Sequence, residues 1–419
     1  MESNLVHQEG RAYGRVAGQP DEELARSGPG TPGGELLRRY WQPVALAEHA
    51  TELPRSIKVL GEDLILFRDG NGRPGLLYPR CTHRGASLLY GRVEEDGIRC
   101  CYHGWKFDAE GVILDMPCEK VTSTMGTVRQ PWYPLVEKFG LIFAYMGPPE
   151  KQPLFPRFSI TEDLDEDDAI VAVQNTTGPN GPHPKIGARN DYNWWQIFDN
   201  FMDPFHVVVT HFMINGVQFV PSLGILPEVK FEHMPDGVRS VQHRTLPDGR
   251  LHQRVSQVIL PNMHGTAGVT DEDLGLAGLG WVVPVDDNSF IHFLIYRKRT
   301  LAAFAALKGV GMLSNDWGPE HGRPFNEWTL EDHQRWQTDY VAQKSQGDIN
   351  LHSEEHLTAI DIGTAMMRRF FKKQAAHVAA GGDPIGSTPN EQYRVNLVAG
   401  NALLDPTTRE CIAGYDGRN

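Results

Sequence analysis

This 419-residue chain has only five cysteines, and two of them, Cys100 and Cys101, are adjacent. So small a set leaves no disulfide framework. With Cys118 and Cys411 isolated in sequence, a reducing, cytoplasmic setting is expected. Basic charge is in deficit: 40 Lys and Arg against 53 Asp and Glu leave a net charge of −13. Nucleic-acid binding is not expected from such a balance. The acidic run from Glu162 to Asp168 reads as a solubilising face, although an acidic surface can also help dock a basic redox partner. Apolar runs of membrane-spanning length are missing, so no membrane association is expected. The first 35 residues lack the basic start and apolar core of a secretory signal. Internal repeats are missing as well.

What is present is length enough for two or three domains with proper cores. Residues 1–35 are polar and Gly-rich and read as a loosely ordered arm. From 36 to 150, short β-rich runs alternate with Gly and Pro turns. Ser56-Ile-Lys-Val-Leu, Leu64-Ile-Leu-Phe, Pro74-Gly-Leu-Leu-Tyr and Leu141-Ile-Phe-Ala-Tyr are strand candidates. Pro148, Pro149 and Pro153 mark a boundary, which assigns 151–419 to a second domain with a C-terminal extension. There the spacing predicts a flexible loop from Asn175 to Pro184, a helix at about 190–206 and strands around 225–260 and 278–298. Helices near 328–345 and 358–378 follow. A sheet with long helices packed on it is an α+β arrangement.

Two short segments carry chemistry. The first is Cys81-Thr-His83, followed after sixteen residues by Cys100-Cys-Tyr-His103-Gly-Trp. Zinc modules pair Cys with Cys and His with His, but here both pairs are mixed. A Rieske [2Fe–2S] centre needs two thiolates on one iron and two imidazoles on the other, which two facing loops of this kind supply. Val93 to Ile98 reads as a hairpin with an Asp96-Gly97 turn that returns the chain to the second loop. Gly85 and Gly104 follow the ligand pairs, where backbone must pass close to metal. Cys101 competes with Cys100 as the ligand, and the Cys-x2-His spacing favours Cys100.

The second segment runs from Asp191 to His211. On a wheel of about 100° per residue, Asp199, Asn200, Asp203, His206 and His211 share one face. That face has no Lys, Glu or Arg, and its flanks carry Trp194, Trp195, Ile197, Phe198, Phe201, Met202 and Phe205. A short polar stripe on a buried helix needs partners. A metal held by His206 and His211, with Asp203 orienting them, provides one. Val207 to Thr210 disfavours a regular helix, and a distorted turn would let the two histidines converge. Two histidines and one carboxylate suit Fe(II) with positions open for dioxygen; zinc is the alternative. For the carboxylate, Asp361 stands beside Asp339, Asp348, Glu354 and Glu355. Asp361 also reads as the N3 residue of a capping box begun by Thr358.

Asn193-Trp and Asp199-Asn-x2-Asp203-x2-His206-x4-His211 resemble the catalytic motif of Rieske non-haem iron oxygenase α subunits, and the Cys/His loops resemble their cluster domain. The usual proline is Cys101 here, and the usual Glu-Asn is Asp199-Asn200. Trp281-Val-Val-Pro-Val-Asp286-Asp287 and Glu355-His-Leu-Thr-Ala-Ile-Asp361 resemble the phthalate dioxygenase-like branch. The resemblance implies an N-terminal Rieske domain and a helix-grip (START/Bet v 1-like) catalytic domain. It places the cluster on Cys81, His83, Cys100 and His103, the mononuclear Fe(II) on His206, His211 and Asp361, and Asn200 beside that site. It also implies a homotrimer in which Asp203 bridges to a neighbour's His83 or His103.

The function implied is a terminal oxygenase fed from NADH through a separate reductase or ferredoxin, using O2 on an aromatic acid. O-demethylation of a lignin-derived methoxylated biphenyl acid is expected first. Ring hydroxylation of a phthalate- or phenoxybenzoate-like acid is the alternative, and a two-domain electron carrier is the non-enzymatic one. Arg244, Arg254, His252 and His264 are possible clamps for a substrate carboxylate, or else turn to solvent.

Overall fold

The computed structural model describes residues 14–414 apart from 121–122, 163, 165, 167, 176–188, 215–220, 268–277 and 301–327. The loop expected over 175–184 lies almost wholly outside the described residues, as does the start of the arm.

Three small antiparallel sheets are built from residues 41–145. Trp41–Leu46 pairs with Leu141–Tyr145, which pairs with Leu135–Lys138. Arg55–Val59, Glu62–Arg68 and Pro74–Leu77 form the second sheet. The third carries the expected hairpin with its turn one residue earlier: Arg92–Glu94 pairs with Gly97–Arg99, so Glu95-Asp96 makes the turn and Gly97 joins the strand, followed by Lys106–Phe107 and Ile113–Asp115. Ile65, Phe67, Leu77, Leu88, Ile98, Trp105 and Phe107 fill a core of their own beneath the two Cys/His loops.

Among the described residues the second half is organised by one nine-stranded antiparallel sheet. Its order is Ile170–Asn175, Ser289–Arg297, Gly278–Asp286, Met263–Thr266, Leu251–Ile259, Gly237–Thr245, Glu228–Met234. Gly400–Leu404 joins beside Leu251–Val255 and carries Cys411–Gly414 on its far side. Alternation along each strand sends side chains to two different layers. Trp281 and Phe293 point toward the first half; Trp281 packs edge-on against Phe143 there and against Phe158 just past the boundary. The opposite face meets the long helix Ile362–Ala379: Phe231 lies against Gly363, and His233 near Phe370. A nine-stranded sheet packed on a long helix agrees with the α+β arrangement expected.

Three elements differ from expectation, the first being the helix expected near 328–345, which is two short helices, Leu330–Arg335 and Asp339–Lys344. The described part of the arm is ordered and docked. Helices Glu22–Ala25 and Pro32–Arg38 bury Leu24, Leu36 and Leu37 against the long helix, with Gly33 close enough that a Cβ there would meet Phe371 at 3.5 Å. Before them, Gly18 and Gln19 donate to Glu354 and Ser353. The helix expected over 190–206 is split. Asn193 caps Trp194–Asn200, accepting from the Trp195 amide at 3.0 Å, and a break at Asp203-Pro204 starts a new turn at Phe205–Val208. Trp194, Trp195 and Phe198 pack together with Phe371. Burying each of these rings stabilises by about 1.5–3 kcal/mol.

Candidate functional site

The two Cys/His loops are near copies of each other. In the first, the Cys81 amide donates to Ala86 O at 2.8 Å and the Gly85 amide donates back to Cys81 O at 2.8 Å. In the second, Cys100 donates to Trp105 O at 2.8 Å and Gly104 to Cys100 O at 3.2 Å. Each turn closes on a glycine in the left-handed region, Gly85 at φ +73° and Gly104 at φ +74°. Positive φ is the local reason for both glycines. Cys81 and Cys100 are buried and interact directly, whereas Cys101 is exposed. Burial, reinforced by the neighbouring Cys100, pushes the Cys81 thiol up. The His83 and His103 rings lie 4.6 Å apart at the loop tips, and His83 stacks flat on Trp105. Partial desolvation, then His83 and Arg84, lower His103. Two inward thiols and two outward imidazoles fit a cluster whose histidine side faces the surface.

A residue that sequence reasoning missed holds the first loop. Gln130, fully buried, donates to Tyr78 O at 2.8 Å and Arg80 O at 2.9 Å, and accepts from the Thr82 amide at 2.8 Å. Its signal in the sequence was only a polar residue amid an apolar, turn-rich stretch. In the second loop, Arg99 donates to Gly104 O at 2.6 Å and is itself held by Glu94 and Asp115.

After Phe205–Val208 the backbone widens into a π-turn, Val209–Ile214, which carries His211. Such widened turns recur at functional sites. This one is the distortion expected from Val207 to Thr210, and it brings the i, i+5 histidines to a ring separation of 5.7 Å. The carboxylate beside them is Asp339. Its Oδ1 lies 3.3 Å from His211 Nε2 and 3.5 Å from His206 Nε2, and the three donor atoms all fall within 4.8 Å of one another. Partial burial pushes Asp339 up, but His211 and His206 outweigh it and hold it at about 2. Burial disfavours protonated His206, and Asp203 and Asp339 reverse that and raise it. Asn200 Nδ2 sits 3.3 Å from His206 Nε2. The donor set of two imidazoles and one carboxylate fits a mononuclear Fe(II) with open positions.

Asp361, the carboxylate expected here, is not in this cluster. Its Oδ2 accepts from the Thr358 amide at 2.7 Å and from the Thr358 hydroxyl at 3.1 Å, which is the capping box ahead of the long helix. Asp339 instead opens the helix Asp339–Lys344. Buried Gln343 anchors that helix by accepting from the Tyr192 hydroxyl. Asp339 and Gln343, two polar residues four apart on one short helix, were the available signal.

Asp203 caps the Phe205 turn: Oδ1 accepts from the Phe205 and His206 amides at 2.9 and 3.2 Å. Its Oδ2 is left 3.7 Å from His206 Nδ1, and the side chain is 34% exposed. Asp199 turns away from the histidines to a buried ion pair with Arg368, which also holds Glu355. Burial raises Asp199 to about 6 despite Arg368. Arg244, Arg254, His252 and His264 are all buried, so none of them turns to solvent. His264 and His292 share a short Nε2–Nε2 contact of 2.6 Å, and His264 stacks on Phe201 at 3.7 Å.

Residues 40–130 match the family model described as a Rieske [2Fe-2S] domain. The chain is 44% identical to a phenoxybenzoate dioxygenase subunit alpha of Ectopseudomonas oleovorans, over 96% of this chain and 97% of the relative. It is 36% identical to a tert-butanol monooxygenase / tert-amyl alcohol desaturase oxygenase subunit of Aquincola tertiaricarbonis, over 89% and 78%. A 5,5'-dehydrodivanillate O-demethylase oxygenase subunit of Sphingobium is 29% identical over 88% and 82%. Dicamba monooxygenase bound to dicamba, a solved structure, shares the fold at TM-score 0.59 and 17% identity, covering 82% of this chain and 99% of that one. No helix among the described residues is long and apolar enough to cross a membrane.

Proposed function

Because this chain belongs to the Rieske oxygenase α subunits, we propose that Cys81, His83, Cys100 and His103 hold its cluster and that His206, His211 and Asp339 hold its mononuclear iron. The chain is an enzyme, the terminal oxygenase of a Rieske system, and carries both metal centres. Such oxygenases work with a ferredoxin or reductase and with O2. Held by those residues, the cluster would supply single electrons, and iron held by His206, His211 and Asp339 would supply the chemistry that activates O2.

The chain's own residues set the conditions for that chemistry. Asp339 neutralises the two histidines' side of the site and keeps both Nε2 atoms turned inward. Asn200 limits rotation of His206. Asp203 spends Oδ1 on backbone amides, which leaves Oδ2 exposed and close to His206 Nδ1. That geometry supports a bridging role: in a homotrimer, Asp203 would accept from His83 or His103 of a neighbouring copy. Asp203→Asn should keep both metal centres yet slow reoxidation of the reduced cluster by O2 in the presence of substrate. Unchanged reoxidation would refute the bridge.

For the substrate, an aromatic acid bearing an ether oxygen is the reading best supported, because the 44% identical relative is named for phenoxybenzoate. Adding both atoms of O2, with two electrons from NADH and two protons, across the ether-bearing ring carbon and its neighbour gives a cis-diol hemiketal, whose C–O bond breaks to release a phenol and leave a catechol. Oxygenating a methoxy carbon gives a hemiacetal that loses formaldehyde, the O-demethylation expected from sequence. The 29% identical relative supports that second outcome more weakly. Incubation with reductase, NADH and O2 tests both, using 3-phenoxybenzoate and a methoxylated biphenyl acid. Phenol release supports ether-ring oxygenation and formaldehyde supports demethylation, while product from neither acid sinks the proposal.

A further inference from the structure

One buried group in the catalytic half has no partner that its charge requires. On neighbouring strands Arg244 stands directly opposite His252, and Gln242 opposite Arg254. Gly400–Leu404 adds Asn401 beside Arg254. Directly opposed residues share a face. By the same register that face includes Val238, Val258 and His264. It is the face that meets Phe201 and the long helix, not the one packed on the cluster half.

Arg244 is 1% exposed. Its Nε donates to Ile225 O at 3.0 Å and Nη1 to Gln242 Oε1 at 3.2 Å, both neutral acceptors. Nη2 is buried without a hydrogen-bond partner, and so is Nδ1 of His252. Arg244 forms no ion pair with a carboxylate of the described residues, and the charge acting on it is the like charge of Arg254. Burial and that neighbour press Arg244 down to about 9, still protonated at neutral pH. Burial, then the two arginines, hold His252 near 3 and therefore neutral. A buried guanidinium without an anion is costly to fold, and a free Nη2 donor on a planar fork is shaped for a carboxylate.

We propose that Arg244, flanked by His252 and Arg254, is the seat of the substrate carboxylate, so that this enzyme selects acids over neutral aryl ethers. The proposal deepens the aromatic-acid reading and rests on it. Calorimetric titration of the oxidised holoenzyme with 3-phenoxybenzoate, benzoate, 3-phenoxybenzamide and chloride tests it, in wild type, Arg244→Lys and Arg244→Gln. Wild type should bind the two carboxylates and not the amide. Arg244→Gln should weaken the carboxylates about 100-fold, and Arg244→Lys should retain part of the affinity. Ligand-free Arg244→Gln should melt no lower than wild type, since an unpaired buried charge is removed, and benzoate should raise the melting temperature of wild type and, less, of Arg244→Lys, but not that of Arg244→Gln.

Equal carboxylate affinity in wild type and Arg244→Gln would overturn the proposal. So would ligand-free Arg244→Gln melting well below wild type, which would make Arg244 structural, or chloride matching benzoate, which would make the seat a site for any small anion. The two readings fail separately. Binding through Arg244 without turnover removes the proposed activity and leaves the seat. Turnover by Arg244→Gln at the wild-type KM removes the seat and leaves the activity.

Discussion

Asp339 and Asp361 make opposite demands on experiment, which makes their substitution the sharpest test of the iron site. Asp339 Oδ1 lies 3.3 and 3.5 Å from the two histidine Nε2 atoms, whereas Asp361 Oδ2 accepts hydrogen bonds from the amide and hydroxyl of Thr358. Asp339→Asn removes one of three protein ligands and a full negative charge. Partners that only orient a ligand are worth about 10–100-fold in metal affinity, and loss of a ligand should exceed that. Iron should therefore fall from about three atoms per chain to about two, the two of the cluster. The cluster's visible spectrum should be unchanged and oxygenation abolished. Asp361→Asn keeps an acceptor in a capping box whose outright loss would cost about 0.5–2 kcal/mol. It should lower the melting temperature by a few degrees at most while iron stays at about three. The assay is iron quantitation per chain beside the cluster absorbance. Asp339→Asn retaining three irons, with Asp361→Asn falling to two, would refute the geometric assignment and restore Asp361.

Other consequences are local to the cluster half. Gly85 and Gly104 share nearly the same φ, so Ala at either costs about 1 kcal/mol of backbone strain. A Cβ at Gly104 would also meet Pro117 Cγ at 2.7 Å, while one at Gly85 meets nothing within 4 Å. Gly104→Ala should thus lose more cluster and melt lower than Gly85→Ala, and equal melting would count against the loop geometry. Gln130→Ala strands three backbone groups around the first loop, at about 1–3 kcal/mol for each left unsatisfied. It should lower cluster occupancy, read as iron per chain, without altering His206 or His211. Arg99, then Arg92 and Lys106, hold Glu94 far below the ordinary carboxylate range. A depressed carboxylate stabilises above its unfolded pKa of about 4.3, and that contribution disappears as pH falls through the folded value. Glu94→Gln should therefore be less stable than wild type at pH 7 by about 1 kcal/mol, with the gap narrowing below about pH 4. A gap independent of pH would exclude this electrostatic origin.

The cluster loops were legible because everything that makes them is local. Cys81 and His83 are two residues apart, Cys100 and His103 three, and the closing glycines follow each pair. A turn of that length is set by its own φ values and by the hairpin between them. His206 and His211 were legible for the same reason: they lie on one stretch of helix, and Val207 to Thr210 announces its distortion. The break at Asp203-Pro204 was also written there, since an Asp-Pro step favours a cap over a continuous helix, yet the wheel treated the stretch as unbroken.

Asp339 and Arg244 belong to tertiary structure alone. Several acids precede the long helix, and each can cap, pair or ligate; which does so depends on how Gln343 and Tyr192 seat the Asp339 helix against the Trp194 helix. On the strand of Arg254, a one-residue change of register would turn every side chain to the other face. Burial of Arg244 and His252 on one wall was therefore undetermined until nine strands had paired. Sequence by itself determined which two Cys/His loops and which two histidines could hold metal. Long-range packing decided which carboxylate stands beside those histidines and placed an unpaired cation inside the sheet, because only the assembled sheet and helices define which polar groups meet and which are left without a partner.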